Sequence, residues 1–219
     1  MYQKFFKRVI DFLLSLFTLV ILSPLMLVLI IVGAMVMGGN PFFTQKRPGK
    51  ISKKTGEERI FKLVKFRTMS NKKDENGNLL PDDQRLNKYG SFLRSVSLDE
   101  LPELWNILKG DMSIVGPRPL LISYIPYYTQ TERMRHTVRP GLTGLAQVNG
   151  RNFVSWDKRL AYDVEYVESI SMFGDIKIIF MTAIQFVKKQ DVAVDTNKVE
   201  PNFAAERLAK MQDSQEVSV

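Results

Sequence analysis

The stretch FLLSLFTLVILSPLMLVLIIVGAMVM, Phe12 to Met37, holds 26 residues without a single charge. About 18 such residues already mark a membrane helix, and a cleaved signal peptide has an apolar region of only about 7–15 residues closed by a small-x-small site. This run is longer and has no such site, so it reads as a permanent membrane anchor. As a straight helix it would reach about 39 Å, more than a bilayer core of ~30 Å. Ser23-Pro24 stands near its midpoint, where proline removes a backbone hydrogen bond and crowds the preceding turn. Such a proline often only kinks a membrane helix, which on its own leaves spanning open. The flanks oppose spanning. Lys4, Lys7 and Arg8 precede the run, and Lys46, Arg47, Lys50, Lys53 and Lys54 follow it. Basic residues favour the cytoplasmic side, so both ends are expected there, joined by a re-entrant helix hairpin broken at Ser23-Pro24.

Composition narrows the chemistry. With 219 residues, 45% hydrophobic and 25% charged, the chain is ordinary for a globular protein, which excludes wholesale disorder. It has no cysteine and one histidine, His136. Disulfides, thiolate metal sites, iron–sulfur clusters and thiol nucleophiles are excluded, as are multi-histidine metal sites. The net charge of +8 is uneven: +6 over residues 1–60, +4 over 61–150 and −2 over 151–219. The net charge points to an anionic partner, whether nucleic acid, a phosphorylated substrate or a membrane surface. A basic N-terminal third around an apolar segment suits an anchor on an anionic leaflet.

Beyond Gly38-Gly39 the sequence divides into a compact domain, 40–190, and a polar tail, 191–219, expected to be peripheral; the anchor is 1–39. Residues 60–69, IFKLVKFRTM, alternate apolar and basic and read as a strand. Residues 70–90 read as a surface loop around Asn76-Gly77 and Pro81. Residues 97–109, SLDELPELWNILK, read as a helix with Leu101, Leu104, Trp105 and Leu108 on one face and Gly110 as its stop. The segment 137–150, rich in glycine and proline, reads as a shaped loop. Residues 173–187 form an amphipathic helix whose face of Ile176, Ile179, Phe180, Ala183, Ile184 and Val187 suits the core or a bilayer interface.

Asp99-Glu100 is the pair that carries chemistry. One reading is a capping box, with Ser97 as N-cap and Glu100 three residues on, although Pro102 complicates that start and leaves one a residue or two later open. The other places two carboxylates at the positive end of a helix, suited to a divalent cation and a phosphate together. Oxygen donors without thiols favour magnesium, with manganese as the alternative. Lys65, Arg67, Arg94, Arg118, Arg139 and Arg151 could hold a diphosphate. Arg118 stands out because Pro117 and Pro119 fix its backbone, and Arg151 follows the turn Asn149-Gly150. His136, Trp105 and Trp156 read as packing or interface residues.

Taken together, PFFTQKRPGK, FKLVKFRTM, YGSFLRSVSLDELPELWNILKGDMSIVGPRPL, RPGLTGLAQVNGR and WDKRLAYDVEYV resemble the bacterial sugar transferases, the small monotopic phosphoglycosyl transferases. The resemblance covers residues 1 to about 187. It implies an irregular, helix-rich α/β fold with interfacial amphipathic helices, on the cytoplasmic face of the bacterial inner membrane. It implies transfer of a sugar-1-phosphate from a UDP-sugar to polyprenyl (undecaprenyl) phosphate in the lipid bilayer, with release of UMP. Asp99 would be the nucleophile, and Glu100 its neighbour in metal (Mg2+ or Mn2+) and acid/base chemistry. Lys65, Arg94, Pro117, Arg118, Pro119, Arg151 and Asp163 form the expected phosphate- and nucleotide-binding set. A homodimer is compatible with the resemblance. Two other readings stand beside it: a membrane-anchored, metal-dependent phosphodiesterase, and a non-catalytic basic module for lipid or nucleic acid. No aromatic–basic stacking platform supports nucleic acid as a partner.

Overall fold

The computed structural model describes residues 1–150, 154–188 and 203–216, so Arg151 lies outside the described residues. After a π-helical turn at Tyr2–Phe6, helix α1 runs from Lys7 to Met37. It is long and apolar enough to cross a membrane. The interruption anticipated at Ser23-Pro24 is not seen, because α1 is continuous through it. Pro24 has no N–H to offer the carbonyl of Val20, and the Ser23 hydroxyl donates to that oxygen instead, at 2.7 Å. The side chain thus satisfies the group the ring left unpaired. Gly38, at φ 64°, closes the helix in the left-handed conformation.

Strands β1 (Phe42–Ile51) and β2 (Glu58–Phe66) form an antiparallel hairpin, in register from Phe42↔Phe66 to Pro48↔Ile60. The segment expected as a plain loop contains α2 (Asp82–Arg85) and the start of α3 (Lys88–Ser95), which Asn87 caps by accepting the Gly90 N–H at 2.8 Å. Helix α4 covers only Glu103–Lys109, preceded by a 3-10 turn at Leu98–Glu100. Proline is favoured at the start of a helix and costs a hydrogen bond inside one; here Pro102 is the N-cap, regular helix begins after it, and the inward face differs from the one expected. Glu103, Leu104, Asn106 and Ile107 are buried, while Trp105 is exposed. Asn106 decides the docking: its amide donates to the Lys62 carbonyl (2.8 Å) and its oxygen accepts the Val64 N–H (3.1 Å), completing the free edge of β2.

Short parallel strands β3 (Ser113–Val115) and β4 (Gly141–Thr143) make a second sheet. Helices α5 (Gln130–Arg133), α6 (Leu145–Val148), α7 (Trp156–Glu168), α8 (Met172–Lys188) and α9 (Phe203–Glu216) complete the described chain. The core is a set of small clusters rather than one block. Phe61 and Leu63 of β2 pack on Leu104, Ile107 and Met112, with Leu19 of α1 against them. Leu29 of α1 packs on Phe66 and Leu93. Val115, Val148, Tyr166 and Ile178 join β3 to the last helices before the tail. The tail is not peripheral at Phe203, which is fully buried against Tyr124, Tyr128 and Trp156 with ring centroids 5.2–5.3 Å away.

Candidate active site

Period-two alternation along β1 sends Phe43, Gln45 and Arg47 to one face of the hairpin. Their β2 neighbours on that face include Leu63 and Lys65, and Arg67 follows at the strand's end. This face forms one wall of a cleft of about 970 Å³. The turn at Leu98–Glu100 and Arg118 contribute to the remaining walls, and Thr18 of α1 and Ile179, Ala183 and Phe186 of α8 line the cleft as well. Lys65, Arg94, Asp99, Glu100, Arg118 and Asp163 all line this one cavity.

The dyad sits on a bent backbone. Ser97, at φ 50° and ψ 23°, is the only non-glycine residue with positive φ among the described residues. That conformation costs about 1 kcal/mol or more outside glycine, and it lies two positions from Asp99. The capping box does not form: Ser97 makes no side-chain cap bond. Glu100 turns inward instead, and its Oε1 accepts from Lys65 Nζ at 2.6 Å and Arg118 Nη2 at 2.7 Å. Lys65 Nζ also lies 3.1 Å from Oε1 of buried Glu103. Asp99 differs from its neighbour: among the described residues its carboxylate accepts no hydrogen bond and joins no ion pair.

The charges follow this geometry. Burial acts to raise the Glu100 pKa, but Arg118 and Lys65 together outweigh it and hold the carboxyl well below the usual range. Glu100 in turn raises the Arg118 pKa. Burial and the adjacent Glu100 charge raise Asp99, opposed by Lys65, Arg118 and Arg94. Burial pushes Glu103 up to about 7. One carboxylate is thus fixed and ionised between two cations, while a second, beside it, stands free with a strengthened basicity.

Arg118 is braced from behind. Pro117 and Pro119 are buried and outside the cleft lining, so they act on the site through the backbone. Gly116 donates its N–H to Thr143 O (2.9 Å), and a Cβ on Gly141 would come within 2.1 Å of the Gly116 nitrogen, which is why glycine is required there. The Arg118 carbonyl accepts from Arg135 Nη2 at 2.6 Å. Arg135 is held by Asp163, whose Oδ2 takes Nε at 3.0 Å and Nη2 at 2.8 Å. Asp163 therefore reaches Arg118 through Arg135. Arg94 is oriented by its Nε bond to Thr68 Oγ1, 3.1 Å.

Arg47 and Arg85 line the cleft too and were not singled out; the β1 alternation was the available signal for Arg47. Arg139 is elsewhere, its Nε donating to the Gly110 carbonyl at 2.9 Å. His136 is buried with Nδ1 3.0 Å from Glu58 Oε1; burial and Arg135 push its pKa down to about 4, so it is a neutral packing residue. No group of three or more His, Cys, Asp or Glu side chains is placed to hold a metal among the described residues. The oxygen donors of Asp99 and Glu100 nonetheless fit magnesium, which commonly takes one or two carboxylates and completes its shell with substrate phosphate and water.

Residues 2–189 match the family model described as bacterial sugar transferase. The chain is 46% identical over 193 residues to the uncharacterized sugar transferase EpsL of Bacillus subtilis, covering 88% of this chain and 92% of that one. It is 38% identical over 195 residues to a UDP-glucose:undecaprenyl-phosphate glucose-1-phosphate transferase of Klebsiella pneumoniae, covering 84% of this chain and 41% of that longer one. An undecaprenyl-phosphate galactose phosphotransferase of Salmonella typhimurium is 36% identical over 198 residues, covering 83% and 40%.

Proposed function

The chain belongs to the bacterial sugar transferase family, and from that premise we propose that it moves a sugar-1-phosphate from a UDP-sugar to undecaprenyl phosphate through a covalent intermediate on Asp99. The observation that carries this reading is the free Asp99 carboxylate inside a cleft whose neighbouring carboxylate is locked by Lys65 and Arg118. An Asp99 oxygen attacks the phosphorus that bears the sugar. The bond from that phosphorus to the bridging oxygen breaks, and UMP leaves with the electron pair. The phosphate oxygen of the carrier then attacks the aspartyl phosphate, the mixed anhydride opens, and Asp99 is regenerated as undecaprenyl diphosphosugar departs.

Lys65, Arg94 and Arg118 neutralise the diphosphate so that an anionic nucleophile can approach it. Asp99 and Glu100 would hold Mg2+, which supplies further charge neutralisation on the phosphate oxygens. Glu100 keeps Arg118 and Lys65 oriented between turnovers. Because α8 lines the same cleft through Ile179, Ala183 and Phe186, a prenyl carrier held at the bilayer interface would meet apolar side chains on its way to the dyad.

The membrane arrangement supports the same reading. Near the start of α1, Arg8 donates to the carbonyls of Ile107 and Leu108 at 2.6 and 2.7 Å, and Asp11 accepts from Ser113 Oγ at 2.6 Å. Near its end, the Leu29 carbonyl accepts from Tyr89 OH at 3.0 Å. The helix thus touches one soluble domain at Arg8 and Asp11 and again at Leu29, which favours an anchor that stays on the cytoplasmic face over a crossing one. On α8, Asp175 and Ile178 face inward while Phe173, Ile176, Phe180 and Ile184 are exposed, as suits a helix lying in the interface.

The test is retention of label. Protein given UDP-sugar radiolabelled in the sugar, without acceptor, should carry sugar phosphate through denaturation and release one equivalent of UMP. Continuous UMP release without undecaprenyl phosphate, and no retained label, would mean a hydrolase instead.

A further inference from the structure

A second, smaller cavity of about 260 Å³ lies apart from the catalytic cleft, between the hairpin and the end of α4, and shares with the cleft lining no charged residue. Its charged wall is Lys50, Arg59 and Arg139 against a single carboxylate, Asp111. The hairpin is built for it. Between Pro48↔Ile60 and Ile51↔Glu58 the register shifts, so that Gly49 and Lys50 together oppose Arg59. This is a β-bulge, a device that re-aims side chains. A Cβ on Gly49 would stand 2.9 Å from the Arg59 carbonyl, so the close approach needs glycine.

The positive charge is not spent inside the protein. Arg59 approaches Asp111 only to 4.0 Å. Arg139 uses Nε on the Gly110 carbonyl, and its two Nη groups have no partner among the described residues. Lys50 has none either. Partial burial together with Arg139 and Lys53 lowers the Lys50 pKa, and burial together with Arg8 lowers that of Arg139 against the opposing pull of Asp11. Such a pocket suits a phosphate group, which accepts from lysine and a guanidinium fork at once.

Its surroundings indicate the source. The carbonyls of Ile107 and Leu108, one turn before Gly110, are held by Arg8 at the start of the membrane helix. Phe12 of α1 lies under Arg8 at 5.9 Å and is exposed; Trp105 of α4 is exposed as well, and tryptophan is enriched at the bilayer interface. We propose that the Lys50–Arg59–Arg139 pocket is a second phosphate site, filled by the headgroup of an anionic membrane lipid. The proposal rests on the membrane reading above only for where the bilayer lies; the pocket itself does not depend on the transfer reaction.

The full-length protein in neutral detergent is titrated with phosphatidylglycerol and, separately, phosphatidylcholine, and bound lipid is counted by native mass spectrometry. Wild type should retain phosphatidylglycerol preferentially, and Lys50→Gln and Arg59→Gln should each weaken that preference about fivefold. Both residues are exposed, so folding should survive; UMP release in the same samples is read separately and should be unchanged. Millimolar inorganic phosphate is the second arm. If it displaces phosphatidylglycerol and binds with the same dependence on Lys50 and Arg59, the pocket takes free phosphate and the lipid assignment falls. A lipid preference unaltered in both variants, or abolished by UMP, would overturn the second site altogether.

Discussion

Arg118 Nη2 and Glu100 Oε1 stand 2.7 Å apart, so the dyad orients its principal cation before any substrate enters. A lysine there cannot hold Glu100 and also fork onto a phosphate. A hydrogen bond to a charged group contributes about 1.5–3 kcal/mol, so Arg118→Lys should lower kcat/KM for the UDP-sugar about 10- to 100-fold with little change in Tm. Wild-type kcat/KM in this variant would remove Arg118 from the site.

Asp99→Asn should reduce turnover by about three orders of magnitude or more and abolish the retained label. Its stability should move the other way. The folded pKa of Asp99 is raised, so the ionised carboxylate weighs against the fold; that burden is full above the folded pKa and gone below the unfolded one. The variant should therefore melt at or above wild type at neutral pH, with the difference shrinking on acidification. A lower neutral Tm would show that the ionised carboxylate supports the fold instead.

The acid limb of the rate reports the same group, because only ionised Asp99 can attack. After burial, the Glu100 charge is the main cause raising Asp99. Glu100→Gln removes that repulsion, so the limb of its residual activity should shift to lower pH. A limb that stays in place would mean that another group sets it.

Glu103 lies beneath Lys65 with a folded pKa of about 7 against an ordinary 4.5. Relative to Glu103→Gln, wild type should lose stability as pH rises from about 4.5 to about 7 and hold a constant deficit above that. Thermal melts across that window check it; parallel curves would mean that burial does not perturb this carboxyl.

The chain contains no cysteine, so Gln3→Cys and Ser52→Cys carry no background. With an impermeant thiol reagent, both should stay unlabelled in intact cells and react after permeabilisation. Labelling of Gln3→Cys alone from outside would require a crossing helix.

Much of this was legible in the sequence. The strand expected at 60–69 appears at Glu58–Phe66, the helix at 173–187 appears as Met172–Lys188, and the dyad shares one cavity with Lys65, Arg94 and Arg118. The helix at 97–109 was misphased because periodicity ignores the backbone: Ser97 turns left-handed and Pro102 delays the helix, so Glu103 and Asn106 are buried where Trp105 was expected. Glu100 had two readings from spacing alone, and only the approach of Lys65 from another strand separates them. Arg139 looked like a member of the diphosphate cluster because charge without position cannot distinguish two cavities.

Phe203 carries a practical consequence. The match to the family model ends at residue 189, yet this ring, fourteen positions further on, is fully enclosed by Tyr124, Tyr128 and Trp156. A gene trimmed to the region shared with relatives would uncap three large aromatic rings at once. The shortened protein should then be sticky and prone to precipitate, for reasons unrelated to its chemistry. The border drawn by ancestry and the border drawn by packing fall at different places in this molecule, and the second is the one to respect when shortening it.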